Sequence, residues 1–196
     1  MEYIKKFFVL CALLTACGTV VLAQGNGCSA KVSRDLANQL LRQAFKLMET
    51  PQDEQEKITS DAGKMKGGVA GLFCGESVDL DRDGKLDLLI HQADVEGAFC
   101  GAQNCPVWAY RNTGNGYKML MEDVGGYISP IEALRTSTRG YRDIRTMQHS
   151  SAVEHEITVF KFNGMKYAPS VCTTEKYVGK RRGKDRFIHI THKCEQ

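Results

Sequence analysis

The sequence predicts an α+β fold: one or two N-terminal helices packed on an antiparallel β-meander, held by disulfides. Apolar residues repeat at helical spacing over 31–49. Beyond Val69 the pattern changes to β-rich runs separated by turn residues. Six cysteines remain once an N-terminal export signal is set aside. No Pro- or Ser-rich linker interrupts the chain, so residues 24–196 are expected to be a single globular domain, helical over 30–66 and β-rich over 69–194.

In the first helix Val32, Leu36, Leu40, Ala44 and Met48 recur every four residues, and Ala37, Leu41 and Phe45 widen the stripe. Such a stripe buries itself against a sheet. A second, polar helix is expected over 51–65. Thr50 would cap it, Pro51 suits the first helical position, and Asp53 favours the positive end of the helix. Ile58, Ala62 and Met65 form its only apolar face, and Gly67-Gly68 ends it.

Strands are expected at Leu86 to Ile90, Val107 to Arg111, Tyr117 to Met121, Leu134 to Thr138, Tyr141 to Thr146, Ile157 to Phe162, Met165 to Ala168 and Phe187 to Thr191. Asn163-Gly164 suits a type I′ hairpin turn, since both residues tolerate positive φ. Trp108 and Tyr110 alternate with Val107 and Ala109, which predicts one core face and leaves the other as a candidate binding surface.

Lys5 and Lys6 precede an apolar run from Phe7 to Leu14. That run is too short to span a bilayer, which needs about 20 residues, and it suits a signal-peptide core. Residues 1–23 are expected to be the signal, with short side chains at Val21 and Ala23 marking the cut. The alternative is a lipobox, Leu14-Thr15-Ala16-Cys17, with cleavage before a lipidated Cys17. Either cut leaves Cys28, Cys74, Cys100, Cys105, Cys172 and Cys194, an even number in an oxidising compartment. Cys100 and Cys105 are close enough to staple one loop; Cys172 with Cys194 and Cys28 with Cys74 follow by elimination. No C-x-x-C pair argues for zinc. Without residues 1–23 the chain carries 24 Lys and Arg against 22 Asp and Glu. That balance argues against a dedicated nucleic-acid binder.

The most informative stretch is Asp79-Leu80-Asp81-Arg82-Asp83-Gly84-Lys85-Leu86-Asp87. Calcium takes six to eight oxygen ligands. Carboxylates at alternate positions converge on an ion if the chain wraps around it, and Gly84 permits the turn. The Lys85 carbonyl would then face inward and Asp87 would close the site. Four carboxylates this close repel one another without a cation. The pattern matches the first nine positions of an EF-hand loop, but Ile90 stands where the bidentate Glu belongs and a strand follows instead of a helix. The loop resembles the calcium loops of FG-GAP and VCBS-type repeats, over about fifteen residues of the 196. That resemblance implies structural calcium held by Asp79, Asp81, Asp83, Asp87 and the Lys85 carbonyl. A propeller would need several copies, and the chain carries one.

His149 and His155, beside Glu154 and Glu156, form the densest histidine cluster. His189 and His192 fall on opposite faces of the last strand. Lys180-Arg181-Arg182-Gly183-Lys184-Asp185-Arg186 is expected to be a solvated hairpin loop, with phosphate binding as its sharper alternative. No G-x-S-x-G elbow, P-loop or dinucleotide fingerprint occurs, and no residue is assigned a catalytic role. The expected function is an exported, non-enzymatic calcium-binding domain, secreted or periplasmic. It would bind a protein or another envelope component, for example as an inhibitor of a cell-wall hydrolase. Membrane contact is expected only through lipid on Cys17, in which case the protein is an outer-membrane or cell-surface lipoprotein. The alternative function is a secreted hydrolase using carboxylate or histidine chemistry.

Overall fold

A computed structural model of the chain describes residues 28–93, 99–101, 104–126 and 131–194. The expected export signal, both expected cleavage sites and Cys17 lie outside the described residues.

Helix α1 spans Arg34–Leu47. It starts at Arg34 and not at 31 because Ser33 caps it: the hydroxyl accepts from the Leu36 amide at 3.3 Å. Asp35 in the first turn and Lys46 in the last complement the helix dipole. Helix α2 spans Gln52–Lys64. Here the expected capping changes. Pro51 is extended, with ψ 152°, and occupies the cap position itself. Thr50 contributes only its carbonyl, which accepts from Gln55 Nε2 at 2.7 Å. A 3₁₀ turn over Gly68–Leu72 replaces the extended chain expected after Val69. A side chain at Gly71 would meet the Lys66 carbonyl oxygen at 2.9 Å, so this tight turn requires glycine.

Among the described residues nine strands follow: β1 (Phe73–Val78), β2 (Asp87–Gln92), β3 (Asn104–Asn112), β4 (Tyr117–Gly126), β5 (Ile131–Thr138), β6 (Tyr141–Ser151), β7 (Glu154–Phe162), β8 (Tyr167–Arg181) and β9 (Lys184–His192). Every pairing is antiparallel and joins chain neighbours. The strands do not form one meander, however. They divide into a four-stranded sheet, β1-β2-β3-β4, and a five-stranded sheet, β5-β6-β7-β8-β9. β8 runs far beyond Ala168; its later residues are half exposed and lack a strong apolar alternation.

The helices, the first sheet and the second sheet stack as three layers. Leu88, Ile90, Trp108 and Tyr110 pack with Leu40, Leu41, Phe45 and Ile58 of the helices. Their alternate neighbours Leu89, Val107 and Ala109 pack with Ile144, Phe160, Phe162 and Tyr167 of the second sheet. Both faces of β3 are therefore core, and neither is a binding surface. A strand covered on both sides reads as a continuous apolar run, which explains Leu88-Leu89-Ile90. Trp108 is fully buried, stands edge-on to Phe73 with centroids 5.8 Å apart, and donates from Nε1 to Glu122 Oε1 at 3.2 Å.

The cysteines pair as Cys28–Cys74, Cys100–Cys105 and Cys172–Cys194. The first ties the N-terminal segment to β1, beside the Ala30–Gly75 bridge. The third ties the segment after β9 back to β8. Three disulfides suit an oxidising, non-cytoplasmic environment. Among the described residues no helix is long and apolar enough to cross a membrane.

Polar bonds join the two sheets. Asn104 donates from Nδ2 to the His149 carbonyl at 2.9 Å and accepts from the His149 amide at 2.8 Å. Thr146 Oγ1 donates to Asp123 Oδ2 at 3.3 Å. Burial pushes the Asp123 carboxyl up to about 6, against the opposing hydrogen bonds from Val124 and Thr146. Between about pH 4 and pH 6 the folded state therefore keeps a proton that the unfolded chain has released. Stability falls as pH rises through that window and is flat above it, a loss of about 3 kcal/mol. Asp123→Asn is expected to lack this loss. Urea unfolding across the window should show the variant gaining on the wild type by about that amount; parallel profiles would refute the assignment.

Candidate metal centre

The aspartate loop joins β1 to β2 and closes where Val78 pairs with Asp87. Arg82 (φ 60°) and Gly84 (φ 83°) both adopt left-handed conformations and turn the chain. The aspartates fold the loop through their own backbone contacts. Asp81 Oδ1 accepts from the Asp83 amide at 3.3 Å, Asp83 Oδ1 from the Lys85 amide at 2.8 Å, and Asp79 Oδ2 from the Gly84 amide at 3.1 Å. Leu80 is fully buried between the sheets. Its amide donates to Asp87 Oδ2 at 2.8 Å, and its carbonyl accepts from the Arg142 amide of β6 at 2.7 Å.

Asp87 has no exposed surface. Besides Leu80 it accepts from the Asn112 amide, on Oδ1, at 2.7 Å. Burial pushes its carboxyl up, those two hydrogen bonds oppose the shift, and the charges of Asp81 and Asp83 reinforce it. Asp79, Asp81 and Asp87 converge: one carboxylate oxygen from each lies within 4.8 Å of the others. This is the one such group of three among the described residues.

Asp83 lies outside that triad. Its Oδ2 faces Lys85 Nζ at 3.1 Å and Arg111 at 3.7 Å. Hydrogen bonds from the Lys85 amide and side chain hold its carboxyl below the usual range. Arg111 also reaches Asp81, with Nε 2.6 Å from Oδ2, and its guanidinium lies 6.0 Å from the centre of the Tyr141 ring. One guanidinium against three carboxylates leaves the triad net negative. Asp79 Oδ1 is buried without a hydrogen-bond partner, as is Asp143 Oδ1. A buried, unsatisfied carboxylate oxygen is costly, and a cation relieves it. The donors are all hard oxygens, which suits a hard divalent ion.

Arg111, Asn112, Tyr141 and Asp143 could not be assigned to this region from sequence. Asn112 was recognisable as a turn residue, but nothing in the pattern of β3 shows that its backbone meets Asp87. The histidines form no comparable centre. His149 and His155 sit opposite each other on β6 and β7, with rings 4.5 Å apart and edge to face. Burial and the neighbouring His155 lower the His149 pKa. His189 faces Glu175 at 3.5 Å, and His192 faces Glu156 at 3.2 Å. The basic run forms the turn between β8 and β9. No protein-family model, curated protein or solved structure matches this chain.

The two hydrogen bonds on Asp87 need both of its oxygens as acceptors. Asp87→Asn turns one of them into a donor facing a backbone amide, and is expected to lower stability by about 2–3 kcal/mol in chemical unfolding. Asp83→Asn, at a side chain open to solvent, should leave the unfolding midpoint nearly unchanged. Equal effects would show that Asp87 does not anchor the loop.

Proposed function

We propose that the protein is an exported calcium-binding domain that binds another envelope or extracellular macromolecule and has no catalytic role of its own. The observation that carries the calcium half of this reading is the convergence of carboxylate oxygens from Asp79, Asp81 and Asp87, with Asp79 also holding a buried oxygen that has no hydrogen-bond partner. The likeness of the loop to FG-GAP and VCBS-type calcium loops adds Asp83 and the Lys85 carbonyl to the ligand set. Calcium accepts such a mixture because its coordination shell is large and flexible. Bound there, the ion would neutralise the triad and compete with Arg111 for Asp81. Through Asp87 and Leu80 it would fix the loop to β3 and to the second sheet. The three disulfides support export to a secreted or periplasmic location.

Thermal unfolding of the purified, oxidised protein in EGTA and then across a calcium series tests the reading. Sites of this kind in extracellular modules have Kd on the order of 10⁻⁴ to 10⁻³ M. Calcium at about 100 Kd should stabilise the protein by about 2.7 kcal/mol. Magnesium, with its strict octahedral demand, should not reproduce the rise, and Asp79→Asn with Asp81→Asn should abolish it. A Tm indifferent to calcium, or an undiminished response in the double variant, would sink the proposal.

A further inference from the structure

Two carboxylate oxygens in this region are buried without a hydrogen-bond partner, and they come from different parts of the fold: Asp79 Oδ1 from the loop and Asp143 Oδ1 from β6. Asp143 is 3% exposed. Among the described residues no Lys, Arg or His forms an ion pair with it. Its neighbour Arg142 directs its guanidinium to the Leu134 and Ala133 carbonyls, at 2.8 and 2.6 Å. A buried carboxylate left in this state calls for a cation.

The chain path brings Asp143 to the aspartate loop. The Arg142 amide donates to the Leu80 carbonyl at 2.7 Å, which lays residues 141–143 alongside 79–81. Tyr141 lies at the Asp81 end: Arg111 contacts Asp81 at 2.6 Å, and its guanidinium carbon stands 6.0 Å from the centre of the Tyr141 ring. Asp143 therefore falls at the Asp79 end. The β5–β6 register slips here, with Ala133 paired to Ile144 and Ser137 to Arg142. Leu134, Arg135 and Thr136 thus oppose Asp143 alone. Such an irregularity re-aims a side chain, and Asp143 is buried next to the buried Ile144 where regular alternation would expose one of them. Tyr167 senses the same grouping. Burial, then the charges of Asp87, Tyr141, Asp143 and Asp81, push its phenol up.

We propose that Asp143 is a further ligand of the cation, so that the ion is held between the two sheets and not by the loop alone. The proposal rests on the calcium reading and adds what the ion controls, the joint between the β1–β2 loop and β6. Asp143 is not one of the three carboxylates that already converge within 4.8 Å. The ion draws it in, and with it the start of β6. A carboxylate from the second sheet also replaces the closing Glu that the loop lacks at Ile90.

Calorimetric titration of the oxidised protein with calcium compares the wild type with Asp143→Asn. The variant should bind at least about tenfold more weakly, since affinity follows the ligand charge count. In EGTA the variant should instead melt above the wild type, because a neutral amide replaces a buried carboxylate without a counter-charge. A residue with a structural role alone would shift both conditions the same way. Hydrogen exchange of the wild type needs no variant. Saturating calcium should slow the Arg142 amide at least about tenfold, together with the Gly84 and Lys85 amides of the loop. Unchanged affinity in Asp143→Asn, or protection confined to the loop amides, overturns the proposal and leaves the calcium reading standing. A wild type that binds no calcium removes both.

Discussion

The buried carboxylate of Asp87 is the constraint on which the rest of the molecule turns. Its two oxygens accept from two main-chain amides in different segments, Leu80 in the loop and Asn112 at the end of β3. A carboxylate in the interior persists only where each of its oxygens meets a hydrogen-bond donor. Asp87 meets that condition through the backbone, so its position fixes where the loop closes and where β3 ends. Leu80 then passes the constraint on, because its carbonyl holds Arg142 in the second sheet. One side chain thus sets the joint between three chain segments and brings Asp79 and Asp81 to the same point.

The middle layer explains much of the architecture. A sheet covered on one side by helices and on the other by a second sheet has no wet face. The centres of β2 and β3, Leu88 to Ile90 and Val107 to Tyr110, are therefore buried and apolar. Polar groups that remain inside are tied across layers, as with Tyr110, which donates from its hydroxyl to Gln43 Oε1 at 3.2 Å. The second sheet has a partner on one face only. Its buried residues are concentrated in β6 and β7, and β9 has none.

Local features of this fold were legible in the sequence to the degree that they had a local cause. The periodic stripe of α1, the turn signals of the hairpins and the Cys100–Cys105 staple each follow from residues close in the chain. The separation into two sheets was not legible: every strand pairs with its neighbour in sequence, and one meander or two leave the same signature. Val107 and Ala109 looked like a face distinct from that of Trp108 and Tyr110, yet alternation cannot say that both faces are covered. In the metal centre, the acidic spacing pointed to Asp79, Asp81 and Asp87. That Asp83 faces Lys85 and that Arg111 reaches Asp81 depend on contacts between β3 and the loop, which spacing does not encode.

The single tryptophan of the chain lies on the helix-facing side of the middle sheet, sealed beneath α1 and α2. Its fluorescence is thus a spectroscopic window on one interface alone. Emission shifts would follow the lifting of the helical layer, whereas a loosening confined to the two-sheet interface would pass unseen in that signal. The stacked Tyr141 and Phe162, whose centroids lie 3.8 Å apart in the cluster between the two sheets, would contribute near-ultraviolet ellipticity from that second interface. Two optical signatures from one unlabelled chain can therefore tell whether its layers part together or in turn.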